Sequence, residues 1–142
     1  MSISQSEFDY LLKLEKNFET SDNILLDSRW SRNVLSLTTK DAFILDYYTG
    51  SIQITKFTYN KRFRKTIPML RFDSSGRHTN PDGNIFDGPH LHIYKDGYDD
   101  KFAFPVSTIG VDEKNCDKAV VLSNFLSYCN INNCPPIQNC LF

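Results

Sequence analysis

Between residues 23 and 106 the chain breaks into short runs of β-branched and aromatic residues separated by turn formers, and this punctuation commits it to a sheet-based fold. The runs cover residues 23–30, 34–38, 43–48 and 51–59, with Thr49-Gly50 as the tight connection between the last two. A further run over 63–72 carries Pro68, which cannot donate a ladder hydrogen bond and so predicts an edge, a bulge or a break. Residues 73–83 are rich in turn formers, with Pro81 and Gly83 placed as a β-turn prefers, and are read as a long loop. Strands over 90–94 and 101–106 follow, joined by a hairpin connection through Gly97.

Helical patterns flank the strands. Ser4 and Glu7 form a capping box and Ile3 and Phe8 a staple, opening a predicted helix over 5–18 whose inward stripe is Phe8, Leu11, Leu12, Glu15 and Phe18. A second helix is expected over 117–128, carrying Val120, Val121 and Phe125, with Pro135-Pro136 preventing any continuation. The order predicts an α+β domain over residues 1–142, a twisted and mostly antiparallel sheet of about six or seven strands with an N-terminal and a C-terminal helix. No stretch approaches the ~18 apolar residues of a membrane span, and the first residues lack a signal peptide's basic start, so a cytoplasmic protein without a membrane partner is expected.

The formal net charge of -1 conceals a local excess. Lys56, Lys61, Arg62, Arg64, Lys65, Arg71 and Arg77 are opposed between positions 56 and 77 by Asp73 alone, with Phe57, Tyr59, Phe63 and Phe72 interleaved. Cations alternating with rings suit the phosphates and unstacked bases of single-stranded nucleic acid, which makes Lys61, Arg62, Arg64, Lys65, Arg71 and Arg77 candidate contacts. The structural alternative is a solvated strand whose Lys and Arg stems cover apolar surface.

All three histidines lie close together in sequence: His78 in the turn-rich segment, and His90 and His92 in Pro89-His90-Leu91-His92-Ile93-Tyr94. On a strand, Leu91 and Ile93 would face the core while His90, His92 and Tyr94 share the outer face. Imidazoles exchange protons near neutral pH and cations stabilise a phosphoryl transition state. His90 and His92 are therefore the candidate general base and acid, with Tyr94, His78 and Lys101 orienting the reacting hydroxyl or steadying charge. No metal or cofactor is needed for this. The competing readings are hydrogen-bonded surface histidines, and a metal site built from His90 and His92 with His78, Asp82 or Asp87. Cys116, Cys129, Cys134 and Cys140 contain no Cys-x-x-Cys pair and are expected to be free thiols.

Leu70-Arg71-Phe72-Asp73, His78-Thr79-Asn80-Pro81-Asp82-Gly83, Pro89-His90-Leu91-His92-Ile93-Tyr94 and residues 97–105 together resemble an uncharacterised family of small bacterial mobile-element proteins. The resemblance spans roughly residues 55–130 and departs at Phe102, where tryptophan is more usual. It implies a shared fold and a toxin–antitoxin or phage-conflict setting. Two functional expectations follow. The first is a toxin-like, metal-independent endoribonuclease or RNA-binding protein, with RNA and an antitoxin as partners. The second is a non-catalytic, anti-CRISPR-like inhibitor that docks on a nucleic-acid-handling enzyme.

Overall fold

The computed structural model describes residues 3–59 and 64–138, with the side chains of Tyr59, Arg64 and Lys65 left aside. Helix α1 (Gln5–Lys13) opens as the capping signal requires, with the Glu7 amide donating to Ser4 Oγ at 3.1 Å, and it buries Phe8 and Leu11. It stops five residues earlier than its periodicity suggests. Leu14 turns extended, and Lys16 to Phe18 become a strand, β1 (Lys16–Phe18), whose period of two buries Lys16 and Phe18 and leaves Glu15, expected to pack inward, exposed.

The central meander is present: β2 (Ile24–Leu25), β3 (Trp30–Ser36), β4 (Ala42–Tyr48), β5 (Ser51–Tyr59) and β6 (Arg64–Asp73). The expected strand over 23–30 is split, its first part pairing in parallel with β12 (Ile137–Gln138) and its last residue opening β3. The Thr49-Gly50 turn places Gly50 at φ 96°, and a Cβ there would meet Ser74 Oγ at 2.9 Å. Pro68 produces a bulge: Ile54 pairs with Leu70 and Thr55 with Pro68, leaving Met69 as the extra residue.

The turn-rich segment is not a loop. It forms a hairpin, β7 (Arg77–Thr79) with β8 (Ile85–Asp87), closed where the Gly83 amide donates to the Asn80 carbonyl at 2.9 Å. Strands β9 (His90–Ile93) and β10 (Ala103–Phe104), helix α2 (Lys118–Tyr128) and β11 (Ile131–Asn132) complete the described elements. Eight strands form the main sheet in the order β10-β9-β6-β5-β4-β3-β1-β11, antiparallel except where β1 meets β11. The α+β class holds. The strand count exceeds expectation because β1 and β11 are too short to carry a periodic signal, while the strand expected over 101–106 is present as the short β10.

One face of the sheet is apolar. Cross-strand neighbours Tyr47, Ile52, Phe72 and Leu91 form one row and Leu45, Ile54 and Leu70 the next, all buried in one cluster with Val121, Leu122 and Phe125 of α2. Each such side chain contributes about 1.5–3 kcal/mol by leaving water. The opposite face carries polar rows, Ser51-Asp73-His90 and Gln53-Arg71-His92.

A second polar element lies within the apolar layer. Lys16 is fully buried, and its ammonium donates to the carbonyls of Leu12, Leu14 and Cys129 at 2.9, 2.9 and 2.8 Å, above the Phe43 ring. Those carbonyls lie at the C-terminal ends of α1 and α2, where unpaired acceptors and helix dipoles both favour a cation. No described helix is long and apolar enough to cross a membrane.

Candidate functional site

The polar face owes its chemistry to strand register. Alternation places Arg71 and Asp73 on one side of β6, and antiparallel pairing sets Asp73 opposite His90 and Arg71 opposite His92. Four chemically active side chains thus meet on adjacent strands. Ser51 joins them from β5, donating to Asp73 Oδ1 at 3.1 Å. Arg71 Nε donates to Asp73 Oδ2 at 2.9 Å, and its guanidinium lies 3.7 Å from the Asp100 carboxylate.

Both imidazoles are oriented by backbone. His90 Nδ1 donates to the Gly88 carbonyl at 2.8 Å and His92 Nδ1 to the Asp100 carbonyl at 2.9 Å. Since a carbonyl only accepts, each ring carries its proton on Nδ1. The Nε2 atoms then face Asp73 Oδ2 at 3.6 and 3.7 Å, beyond hydrogen-bond distance. Burial, followed by the Arg71 guanidinium, holds the His92 pKa below its ordinary value; the Asp100 carbonyl opposes this and the neighbouring rings reinforce it. His92 is therefore neutral at physiological pH.

The β7–β8 hairpin closes over the rings. Asn80 behaves like an added strand residue, its amide donating to the Ala103 carbonyl at 3.0 Å and accepting from the Ala103 amide at 2.7 Å. This clamp brings the His78 ring to 4.6 Å from His92 and 6.2 Å from His90, while His78 Nε2 donates to the Lys101 carbonyl at 2.7 Å.

His78, His90, His92 and Arg71 are thus brought together. The exposed imidazole pair expected from alternation is not found, for His90 and His92 are only 3% and 4% exposed, roofed by the hairpin and edge strand. Tyr94 departs further. The chain leaves β9 after Ile93, and the Tyr94 ring stacks on Phe8 of α1 with its hydroxyl donating to the Ile3 carbonyl, so it is core. Lys101 touches the cluster through its carbonyl, and its side chain is exposed. Arg77 is exposed on the hairpin. Lys61 and Arg62, with the side chains of Arg64 and Lys65, lie outside the described residues.

Asp73, His90 and His92 gather one ligand atom each within 4.8 Å of one another, whereas Asp82 and Asp87 are exposed on the hairpin. Asp73 is the residue that sequence reasoning missed. It stood out as the acid interrupting a basic run and within the Leu70-Arg71-Phe72-Asp73 stretch, and its two-residue spacing from Arg71 on a strand was the available signal.

No curated protein and no solved structure matches this chain. A family model does match, over residues 3–131, and it takes in α1, the whole described part of the main sheet up to Ile131, the hairpin and α2. The chain accordingly belongs to the family of unknown function DUF6978.

Proposed function

We propose that this protein is a cytoplasmic, nucleic-acid-directed phosphodiester hydrolase of a bacterial toxin–antitoxin or phage-conflict system, with the imidazole–carboxylate cluster as its reacting centre. The observation that carries the reading is the convergence of three imidazoles, a carboxylate and a guanidinium on one sheet face. Arg71, Asp73 and Asp100 have side chains that are 31%, 21% and 38% exposed and form the accessible mouth. A phosphate meets the Arg71 guanidinium there, and the basic segment from Lys56 to Arg77 supplies long-range attraction. The Nε2 atoms are the basic groups available to an attacking water or hydroxyl.

The test is expression in bacteria of wild type and of His90→Ala/His92→Ala. Growth arrest with RNA cleavage by wild type alone supports the hydrolase; growth unaffected by either removes it. The burial of His90 and His92 favours a second reading, a non-catalytic inhibitor that binds a nucleic-acid-handling enzyme. Harmless expression together with stable complex formation would select it.

A further inference from the structure

Three electron-pair donors at the β6–β9 pair point at one position. The carbonyls of Gly88 and Asp100 fix the protons of His90 and His92 on Nδ1, so both Nε2 lone pairs turn toward Asp73 Oδ2. Such donors repel one another at low exposure, and a cation between them reverses the sign of every contact. We propose that Asp73 Oδ2, His90 Nε2 and His92 Nε2 bind a single divalent transition-metal ion of the zinc class.

The two imidazole–carboxylate spacings suit such an ion, and the third, between the imidazoles, lies within 4.8 Å. Two ligand atoms about 2.1 Å from a common metal and separated by the 3.6 and 3.7 Å found here subtend about 120°, close to a tetrahedral arrangement and wider than an octahedral edge of about 3.0 Å. The surroundings suit it too. Metal-bound imidazoles characteristically donate their second N–H to a backbone carbonyl, as both rings do, and ligating carboxylates are themselves hydrogen-bonded, as Asp73 is by Ser51 and Arg71. Two imidazole nitrogens and one carboxylate select zinc and its neighbours over magnesium or calcium, which take oxygen ligands. Three protein ligands leave a fourth position for water or a substrate oxygen. Arg71 is tied to the ligating carboxylate through its bond to Asp73, so the proposal rests on the hydrolase reading and revises it: with both Nε2 lone pairs on the ion, a water in the fourth position would take over the imidazoles' part as base, and ion binding stands whether or not the protein cleaves anything.

The experiment is zinc titration by calorimetry of the EDTA-stripped full chain, with bound metal counted by mass spectrometry and magnesium as the comparison ion. The informative variants are His90→Asn and His92→Asn, since an asparagine amide reproduces the Nδ1 donor and lacks Nε2, and Asp73→Asn, which keeps the shape of the carboxylate. Circular dichroism verifies that each is folded. One zinc per chain, no magnesium uptake, and affinity lowered at least ~100-fold in each folded variant support the site. Absence of zinc from the folded wild type, or unchanged affinity in the variants, overturns it. Should a variant not fold, cobalt substitution of wild type decides: nitrogen–oxygen ligation gives visible d–d bands alone, whereas thiolate charge-transfer bands would move the ion to the cysteines and end the proposal. Zinc bound without RNA cleavage retains the ion site and removes the hydrolase. Cleavage that survives EDTA, by a chain that binds no zinc, does the reverse.

Discussion

Two buried polar groupings divide this molecule, and they are built on opposite principles. At Lys16, an ammonium with three protons meets three carbonyl oxygens at 2.8–2.9 Å, so each donor has its acceptor and nothing further can enter. At Asp73, His90 and His92 the two Nε2 atoms lie 3.6 and 3.7 Å from Asp73 Oδ2, each ring oriented by a carbonyl on its far side and the carboxylate oxygen itself accepting from Arg71 Nε. The first grouping is closed and ties two helices together. The second is oriented with equal care, but both Nε2 lone pairs turn toward a carboxylate rather than toward a donor. Burial alone therefore does not distinguish structural from functional polar residues; the balance of donors and acceptors does.

The contrast is broken most forcefully at Lys16. Lys16→Met should destabilise the fold by about 3–5 kcal/mol in urea unfolding, because it strands three carbonyls, one buried and two part-buried, at two helix ends. A loss below about 1 kcal/mol would show that the cage is incidental.

Next in size is its pH response. Burial lowers the Lys16 pKa from 10.5 to about 8, with Cys129 opposing. The folded state then binds fewer protons than the unfolded chain between those values, so its stability gains as pH rises through that window. Measured against Lys16→Met, the wild-type advantage should widen by about 2 kcal/mol between pH 8 and 10. A gap that stays constant or narrows would contradict the assignment.

A smaller effect is expected at the roof of the open cluster. Asn80→Ala removes two hydrogen bonds to the edge strand and leaves the buried Ala103 amide and carbonyl unpaired, costing about 1–3 kcal/mol in thermal or urea unfolding. It should also speed hydrogen exchange in the β7–β8 hairpin, and unaltered exchange would mean that the clamp does not hold the roof.

The smallest change should come from the cluster itself. In metal-free protein Asp73→Asn should alter unfolding free energy by less than about 1 kcal/mol, because the loss of the Arg71 ion pair is set against relief of the facing lone pairs. A penalty as large as that of Lys16→Met would make both groupings structural and dissolve the comparison.

Much of this architecture was legible in advance where local chemistry decides it. The start of α1 follows from Ser4, the β4–β5 turn from Gly50 and the bulge from Pro68. The end of α1 was not legible, because Lys16 binds a carbonyl more than a hundred residues away and no local pattern encodes that contact. The candidate site shows the same division. Alternation rightly set His90 and His92 on one side of β9, but it could not reveal the hairpin that buries them or the departure that sends Tyr94 into the core. Asp73 was concealed for a related reason: it is seventeen residues from His90 in sequence, and only strand pairing makes them neighbours.

The parallel pairing of β1 with β11 sets the order in which the protein can be built. Residues 16–18 receive their outer partner only from residues 131–132, and the Lys16 cage waits for the carbonyl of Cys129. During synthesis the meander can zip from local turns, but the first strand keeps one edge bare until almost the whole described chain has left the ribosome. For a protein with so many neighbouring hairpins, its slowest step on the ribosome should be this late closure of head onto tail.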